Sequence, residues 1–372
     1  MEGIDLAGID LAGIELRRVS MRLVAPFRAA HGTTWERDIL LVRAVSDAGE
    51  GWGECVAQRA PTYTSEYVDE AARVVRDHLA PRVFASGLDG MAEVKGHPMA
   101  KAAIELAVLD AGLMAEGRSL VAYLGGTREV VEAGISLGIE DSLAALADQA
   151  EAAVAQGYRR VKLKIEPGWD VEAVTAVRER LGESIALQVD GNGAYRVDDA
   201  APGGPLAALD QLGLQLIEQP LPEHDLLGSA EVARRLRTPV CLDESIMSAQ
   251  SAEVAIRLGA CGIVNIKAGR VGGYREAVRV HDVCVTAGVP VWCGGMHETG
   301  IGRAANAALA ALPGFVLPGD LSASDRYYAE DLTEPLVLED GGLRVPQGPG
   351  IGRVPRPDVL AARTTAVEFL RR

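Results

Sequence analysis

VKLKIEPGWD, residues 161–170, sets a problem whose solution decides the fold. Val161, Leu163 and Ile165 alternate with Lys162 and Lys164. That is the side-chain period of a β-strand, so the lysines share one face and the apolar residues the other. Apolar strand faces pack under helices, which leaves two ammonium groups directed into the interior of whatever the strand helps to build. A fold tolerates buried ammonium groups only where the interior is itself polar.

Short β-like runs recur on both sides of this stretch, roughly every 25 residues. They are GISLGI (134–139), RRVKLKI (159–165), IALQVD (185–190), LQLIEQ (214–219), PVCLDE (239–244), GIVNIK (262–267), VPVWCG (289–294) and FVLPGD (315–320). Stretches with helical apolar spacing lie between them, at 141–156, 170–181, 227–236, 248–259 and 273–287. Eight strands alternating with helices predict an α/β fold, a (β/α)7–8 TIM-type parallel barrel. The rival, a doubly wound open sheet, needs a Gly-rich phosphate loop after an early strand, and no G-x-G-x-x-G stands there. Upstream, strands at 14–24 and 39–45, a turn feeding a third at 46–55, and helices at 65–80 and 98–115 form an α+β pattern. The expected division is an N-terminal α+β capping domain (1–128), the barrel with its active site (129–325), and a C-terminal segment (326–372) that returns to the cap.

Composition narrows the function classes. The 372 residues are 48% hydrophobic and 24% charged, as in a soluble protein with a sizeable core; aromatics are only 4%, so Ala, Val, Leu and Ile must build that core. A net charge of -15 argues against nucleic acid or an anionic membrane as partner, though it leaves room for a local cationic site. The five cysteines (55, 241, 261, 284 and 293) are odd in number and show no C-x-x-C spacing, which reads as reduced, buried thiols in a cytoplasmic protein. No apolar run reaches membrane-span length, and the N-terminus lacks the basic region and apolar core of a signal peptide. Its GIDLAGIDLAGIEL repeat (3–16) is too short for a solenoid and reads as a duplicated leader.

Charged residues gather at the C-terminal ends of the predicted strands, the end where barrel active sites are built. These are Lys162 and Lys164, Asp190, Glu218, Asp243 and Glu244, Lys267, Glu298 and Asp320. Singly, each acid reads as a salt-bridge partner. Together, Asp190, Glu218 and Asp243 on consecutive strands, expected at matching depth, offer three hard oxygens that suit Mg²⁺ better than Zn²⁺. Asn192 and Glu244 would orient those ligands. Lys164 and Lys267 come from opposite sides of the barrel. An ammonium near a dication and a second ammonium becomes easier to deprotonate, so Lys164, nearer the strand end, is the expected acid/base, with Lys162 crowding it. A plain salt bridge is the alternative for Lys162. A base beside a Mg²⁺ site suits removal of the proton α to a carboxylate, with the metal holding the enediolate; the handling of such carbanions by a lysine and Mg²⁺ is known from the enolase superfamily.

The motifs carry a resemblance to that superfamily. VKLKIEPG resembles the K-x-K motif of its muconate-lactonizing subgroup; VDGNGAY, IEQPL, CLDESI and NIKAGRVGGY resemble its three metal-ligand motifs and its second lysine motif, in order. PVWCGGMHETGIGRAAN and LPGDLSASDRYYAEDLTEP resemble the o-succinylbenzoate synthase / N-succinylamino acid racemase branch. The likeness runs from about residue 14 to the end of the chain; five motifs in order are specific where any one is not. It implies Mg²⁺ (with Mn²⁺ or Co²⁺ as substitutes) on Asp190, Glu218 and Asp243, Lys164 as acid/base and Lys267 opposite it. It further implies a small carboxylate substrate touching Ser136, Gly294, Gly295, Met296 and Glu298, and a homo-oligomer, an octamer in this branch. The loop VAPFRAAHGTTWER (24–37) would close over the site with Phe27 as a wall. Arg270 resembles the residue that separates racemase-competent members from strict synthases; a solvated helix charge is the alternative. Two departures stand out: Gly191 and Gly193 flank Asn192 where bulkier residues are usual, which would loosen the ligand loop, and His297 stands where an apolar residue is expected, within reach of the acyl arm.

Three other functions compete: a dipeptide epimerase or cycloisomerase of the same subgroup, a catalytically silent barrel used for binding, and a metal-free Schiff-base aldolase, which leaves three convergent acids unexplained.

Overall fold

The computed structural model describes residues 10–30 and 32–372, so residues 3–9 of the N-terminal repeat lie outside the described residues. Three long antiparallel strands open the chain: β1 (Leu11–Ala29), β2 (Gly32–Ser46) and β3 (Gly49–Cys55). The stretch expected to be a loop at 24–37 is mostly the tip of the β1–β2 hairpin, where Phe27 pairs with Thr34 and Arg28 with Thr33. A helix, Pro98–Glu116, packs on this sheet. It can approach because Gly51 and Gly53 have no Cβ: one would lie 2.1 Å from the Ala111 nitrogen, the other 1.9 Å from the Ala103 oxygen. The helical stretch expected at 65–80 forms as Val68–Val74 and runs on to Ser86 through a widened π turn at Val75–Leu79. Pro81 follows that turn; a prolyl ring cannot donate to, and crowds, the carbonyl four residues back, which a wider turn accommodates.

After β4 (Val130–Glu132) the chain enters a parallel sheet of β5 (Gly134–Leu137), β6 (Arg160–Lys164), β7 (Ala186–Asp190), β8 (Leu216–Glu218), β9 (Val240–Leu242), β10 (Ile263–Ile266) and β11 (Val291–Cys293), paired in chain order. All but one of these strand residues are buried, as expected of strands covered on both faces. The eighth expected strand, 315–320, is instead an irregular segment with bridges Val291–Phe315 and Ala133–Gly319. Pro318 lacks the N–H that a ladder would need. The segment still spans the gap between β11 and β5: the Asp320 N–H donates to the Cys293 carbonyl (2.9 Å) and the Gly134 N–H to the Gly319 carbonyl (2.7 Å).

Strands in such a barrel are tilted, so equal depth advances by about one residue from each strand to the next. Applied to the observed register, in which Lys162 pairs with Gln188, Gln188 with Leu216 and Asp190 with Glu218, this shift sorts the inward residues into layers. Leu216, Cys241, Ile263 and Trp292 form a separate apolar floor. Lys162, Glu218, Asn265 and Asp320 stand above it, from alternate strands. Ser136, Asp190, Asp243 and Gly294 come next, and Lys164 and Lys267 are uppermost. Glu218 therefore sits one layer below Asp190 and Asp243, rather than level with them.

The chain ends with β12 (Leu338–Glu339) and β13 (Gly342–Arg344), which pair onto β4, and β14 (Thr364–Arg371), which pairs with β1 as the edge of the first sheet. Among the described residues, no helix is long and apolar enough to cross a membrane. The five cysteines are free and buried.

Candidate active site

The two lysines of the opening stretch have different surroundings. Lys162 Nζ lies 2.6 Å from Glu218 Oε2, 2.7 Å from Asp320 Oδ2 and 3.5 Å from Asp190 Oδ2, and 4.7 Å above the Trp292 ring. Lys164 Nζ lies higher, 2.5 Å from Asp190 Oδ2 and 2.8 Å from Asn192 Oδ1. Across the barrel, Lys267 Nζ is 2.7 Å from Asp243 Oδ2 and 3.2 Å from the Tyr63 hydroxyl. Asn265 donates to Glu218 Oε1 (2.7 Å), and Arg160 to Asp320 Oδ1 (2.6 Å).

Strained backbone holds the carboxylate loops. Asn192 has φ 43 and Gln219 φ 35, both in the left-handed region. The Asn192 N–H donates to Asp190 Oδ1 and its side-chain amide to Glu244 Oε1, which links the β7 loop to the β9 loop. Gln219 Oε1 accepts from the Asp243 and Ser245 N–H groups while its amide donates to Ser245 Oγ. The glycines beside Asn192 do not loosen this loop. The Gly191 N–H donates to the Glu218 carbonyl and the Gly193 N–H to that of Gln219, and a Cβ on Gly191 would touch the Tyr195 ring at 3.0 Å.

Burial and charge set the ionisation. Burial opposes the charged form of Asp190, but Lys164 and Lys162 outweigh it and hold the carboxyl below its usual range. Asp243 is likewise depressed, by Arg270 and Lys267 against burial. Glu218 is pushed up to about 8, by burial first and then by Asp190. Lys162 and Lys267 are both raised: burial pulls each down, but Asp320 and Glu218 prevail at the first and Asp243 at the second.

A cleft opens above these layers, with a cavity volume of about 50 Å³. Both upper lysines face it, as do Phe27, Ser136, Gly295, Met296 and His297. Other expected contacts lie elsewhere. Glu298 turns inward, accepting from the Met296 N–H and the Asn306 amide. Gly294 is a packing position, since a Cβ there would lie 2.6 Å from Lys267 Cε. Arg270 is no solvated helix charge. It is 3% exposed, 3.5 Å from Asp243 Oδ1, and donates to the Tyr63 hydroxyl.

Several site residues were not anticipated. Arg160 and Asn265 had a signal, each two residues before an inward lysine and so on the same strand face. Tyr63, which reaches Lys267 and Asp243 from the cap loop, and Tyr327, on the cleft wall, had none: no periodicity places a loop side chain.

Among the described residues, no three carboxylate, imidazole or thiol groups are gathered tightly enough to hold an ion as they stand. Each of the three acids is turned to an ammonium group instead. The donor set nonetheless fits a hard dication. Three carboxylates converge from neighbouring strands, and Asp243 Oδ1 and Glu244 Oε2 are buried with no hydrogen-bond partner.

Residues 145–359 match the family model described as enolase C-terminal domain-like. An N-succinylamino acid racemase from Amycolatopsis is 58% identical over 351 residues, covering 92% of this chain and 95% of that protein. An o-succinylbenzoate synthase from Geobacillus kaustophilus is 45% identical over 339 residues, 89% of each. The crystal structure of an enolase-superfamily member from Listeria innocua superposes with a TM-score of 0.93 at 36% identity, covering 98% of this chain and 99% of that one. The fold, the ordered motifs and these relatives together place the chain in the enolase superfamily.

Proposed function

We propose that the protein is a Mg²⁺-dependent enzyme that moves the proton α to a carboxylate, acting as an N-succinyl- or N-acylamino acid racemase, an o-succinylbenzoate synthase, or both. One observation carries this: two lysines on opposite strands, Lys164 and Lys267, meet one cleft above three convergent carboxylates. Asp190, Glu218 and Asp243 would hold the cation, which would supply Lewis-acid polarisation of the substrate carboxylate.

The chain's own charges suggest how a base arises. Lys162, Lys164, Lys267, Arg160 and Arg270 (five formal positives) face Asp190, Glu218, Asp243, Glu244 and Asp320 (five negatives). A dication and one substrate carboxylate would add a net +1, which would favour the neutral form of one lysine. In racemisation, neutral Lys164 takes the α-proton and the C–H pair moves into the carboxylate. The Lys267 ammonium then gives its proton to the opposite face of the carbon. In dehydration, protonated Lys164 returns its proton to a departing β-hydroxyl on its own face, while Lys267 stays cationic. Lys162 keeps Glu218 and Asp320 in place beneath, and Asn192 and Glu244 orient the loop that carries Asp190. The reading also includes the 1–128, 129–325 and 326–372 division, Mn²⁺ or Co²⁺ as replacement ions, and a cytoplasmic homo-oligomer.

The test is exchange in D₂O. With Mg²⁺, N-succinyl-L-phenylalanine should lose its α-proton signal and its optical rotation together, and EDTA should abolish both. Dehydration of the succinyl-hydroxycyclohexadiene carboxylate without exchange on the amino acid would make the protein a dedicated synthase. Neither activity in the Mg²⁺-loaded protein would defeat the reading and turn attention to dipeptides.

A further inference from the structure

Lys162 spans the layer beneath the cleft. On one side its Nζ reaches Glu218, on β8, at 2.6 Å. On the other it reaches Asp320, on the segment that replaces the eighth strand, at 2.7 Å. Lys162 is 1% exposed and Glu218 not at all, so water cannot stand in for either carboxylate. Both Glu218 oxygens already accept from the chain: Oε1 from Asn265 at 2.7 Å and Oε2 from Lys162. A dication on Glu218 competes with Lys162 for the same negative charge. At this depth an ammonium that shares its anion with a dication is costly, unless a second anion stays beside it.

Three carboxylates lie within ion-pair distance of Lys162. Asp190 and Glu218 belong to the set assigned to the cation, and Asp320 does not. Asp320 is also fixed from several sides. Its Oδ1 accepts from Arg160 at 2.6 Å, and its backbone N–H donates to the Cys293 carbonyl on β11 at 2.9 Å. Arg160 is fully buried, bonded to the Pro318 carbonyl at 2.8 Å and stacked over the Trp292 ring at 5.1 Å. Burial opposes the charged form of Asp320, but Lys162 and Arg160 outweigh it and hold the carboxyl below its usual range.

We propose that Asp320 is a positioning residue for cation binding: it keeps the Lys162 ammonium paired when Glu218 commits its charge to the divalent ion, with Arg160 fixing Asp320 from behind. Asp320 thus sets the affinity of the cation site through Lys162, without touching the ion. This rests on the proposed function, in which Glu218 is a ligand, and adds the residue that makes that ligand available.

Mn²⁺ is the probe, its free concentration read from its electron paramagnetic resonance signal, so no turnover is needed. Asp320→Asn should weaken Mn²⁺ binding about tenfold or more. Loss of a negative charge near the site also weakens binding by itself. The deciding measurement is therefore a double-mutant cycle with Lys162→Met. Removing Lys162 should improve Mn²⁺ affinity about fivefold more in the Asp320→Asn background than in the wild type. An equal effect in both backgrounds means that Asp320 acts by net charge alone and overturns the proposal. An unchanged dissociation constant in folded Asp320→Asn overturns it too. The wild-type protein supplies a test that needs no variant: in Mg²⁺-soaked crystals Lys162 should remain hydrogen-bonded to Asp320, and a Lys162 that has left Asp320 overturns the proposal. Wild-type protein that binds no Mn²⁺ defeats the underlying function, and the proposal with it.

Discussion

The barrel has two ends inside one sheet, and they obey opposite rules. Its floor is Leu216, Cys241, Ile263 and Trp292, close-packed and apolar, with one polar atom, the Trp292 Nε1, donating to Cys241 Sγ at 3.3 Å. Its mouth, two layers higher, holds three buried lysines and three buried acids at strand ends, beside strained loops, with Asp243 Oδ1 and Glu244 Oε2 lacking a hydrogen-bond partner. The floor follows ordinary packing physics, in which apolar burial stabilises. The mouth follows the physics of a site built to receive something: its ions are closely paired, at 2.5 to 2.7 Å, and each pair costs desolvation. Trp292 is the border, its ring facing both Lys162 and Arg160 at 4.7 and 5.1 Å. The same strands thus support stability at one end and chemistry at the other.

The sharpest way to break this contrast is to remove the base. Lys164→Ala should lower α-proton exchange by about 10³-fold or more, since positioned acid–base groups contribute on the order of 10²–10⁴. Its urea midpoint should move little by comparison. Exchange within tenfold of wild type would place the base elsewhere. At the floor the weights reverse. Trp292→Ala should cost about 3–5 kcal/mol of stability by cavity formation, read from denaturant unfolding.

A third substitution probes the mouth as a structure. Lys267→Met leaves Asp243 with Arg270 as its remaining cation and should cost about 2–3 kcal/mol. Adding Asp243→Asn should recover most of that loss, because a buried ion pair replaced as a pair is often nearly neutral. A double variant as unstable as the sum of the two singles would show that the mouth, too, is held by its ions.

The two ends also differed in what the sequence disclosed. Short apolar runs recurring about every 25 residues placed all seven sheet strands, because each is covered on both faces. Alternation within 161–165 exposed Lys162 and Lys164 as inward, and strand order brought Asp190, Glu218 and Asp243 together. It could not show that Glu218 lies a layer deeper, because that follows from strand tilt, a property of the closed barrel. The eighth strand failed at Pro318, where an apolar run looked sufficient although a missing N–H prevented the ladder. The 24–37 loop proved mostly to be a hairpin tip, and the buried helix Gly300–Ala310 passed unnoticed. Every residue of that helix is buried, Arg303 and Asn306 included, so it lacks the exposed polar face that marks surface helices. Tyr63 reaches Lys267 and Asp243 from a loop, where only tertiary structure decides what a side chain reaches.

The smallest effect concerns how the cap is fastened to the mouth. Glu54, on β3, accepts from the Thr299 N–H and hydroxyl and the Gly302 N–H, at the start of the helix Gly300–Ala310 that follows the His297 loop. Burial, with Glu298 nearby, pushes its carboxyl up to about 7 from 4.5, despite those hydrogen bonds and the favourable helix end. The folded state therefore holds this proton more tightly than the unfolded chain. The associated stability is complete below about pH 4.5, declines as pH rises, and is lost above about pH 7. Glu54→Gln keeps the size of the side chain and removes the titration. The difference in stability between wild type and variant should thus change by on the order of 1–2 kcal/mol between pH 5 and 8, wild type losing ground as pH rises. A difference constant across that range would mean that Glu54 is ionised throughout, so that the helix terminus and its three donors outweigh burial. The cap would then be fastened by a charge, as the mouth is, and not by a neutral hydrogen bond.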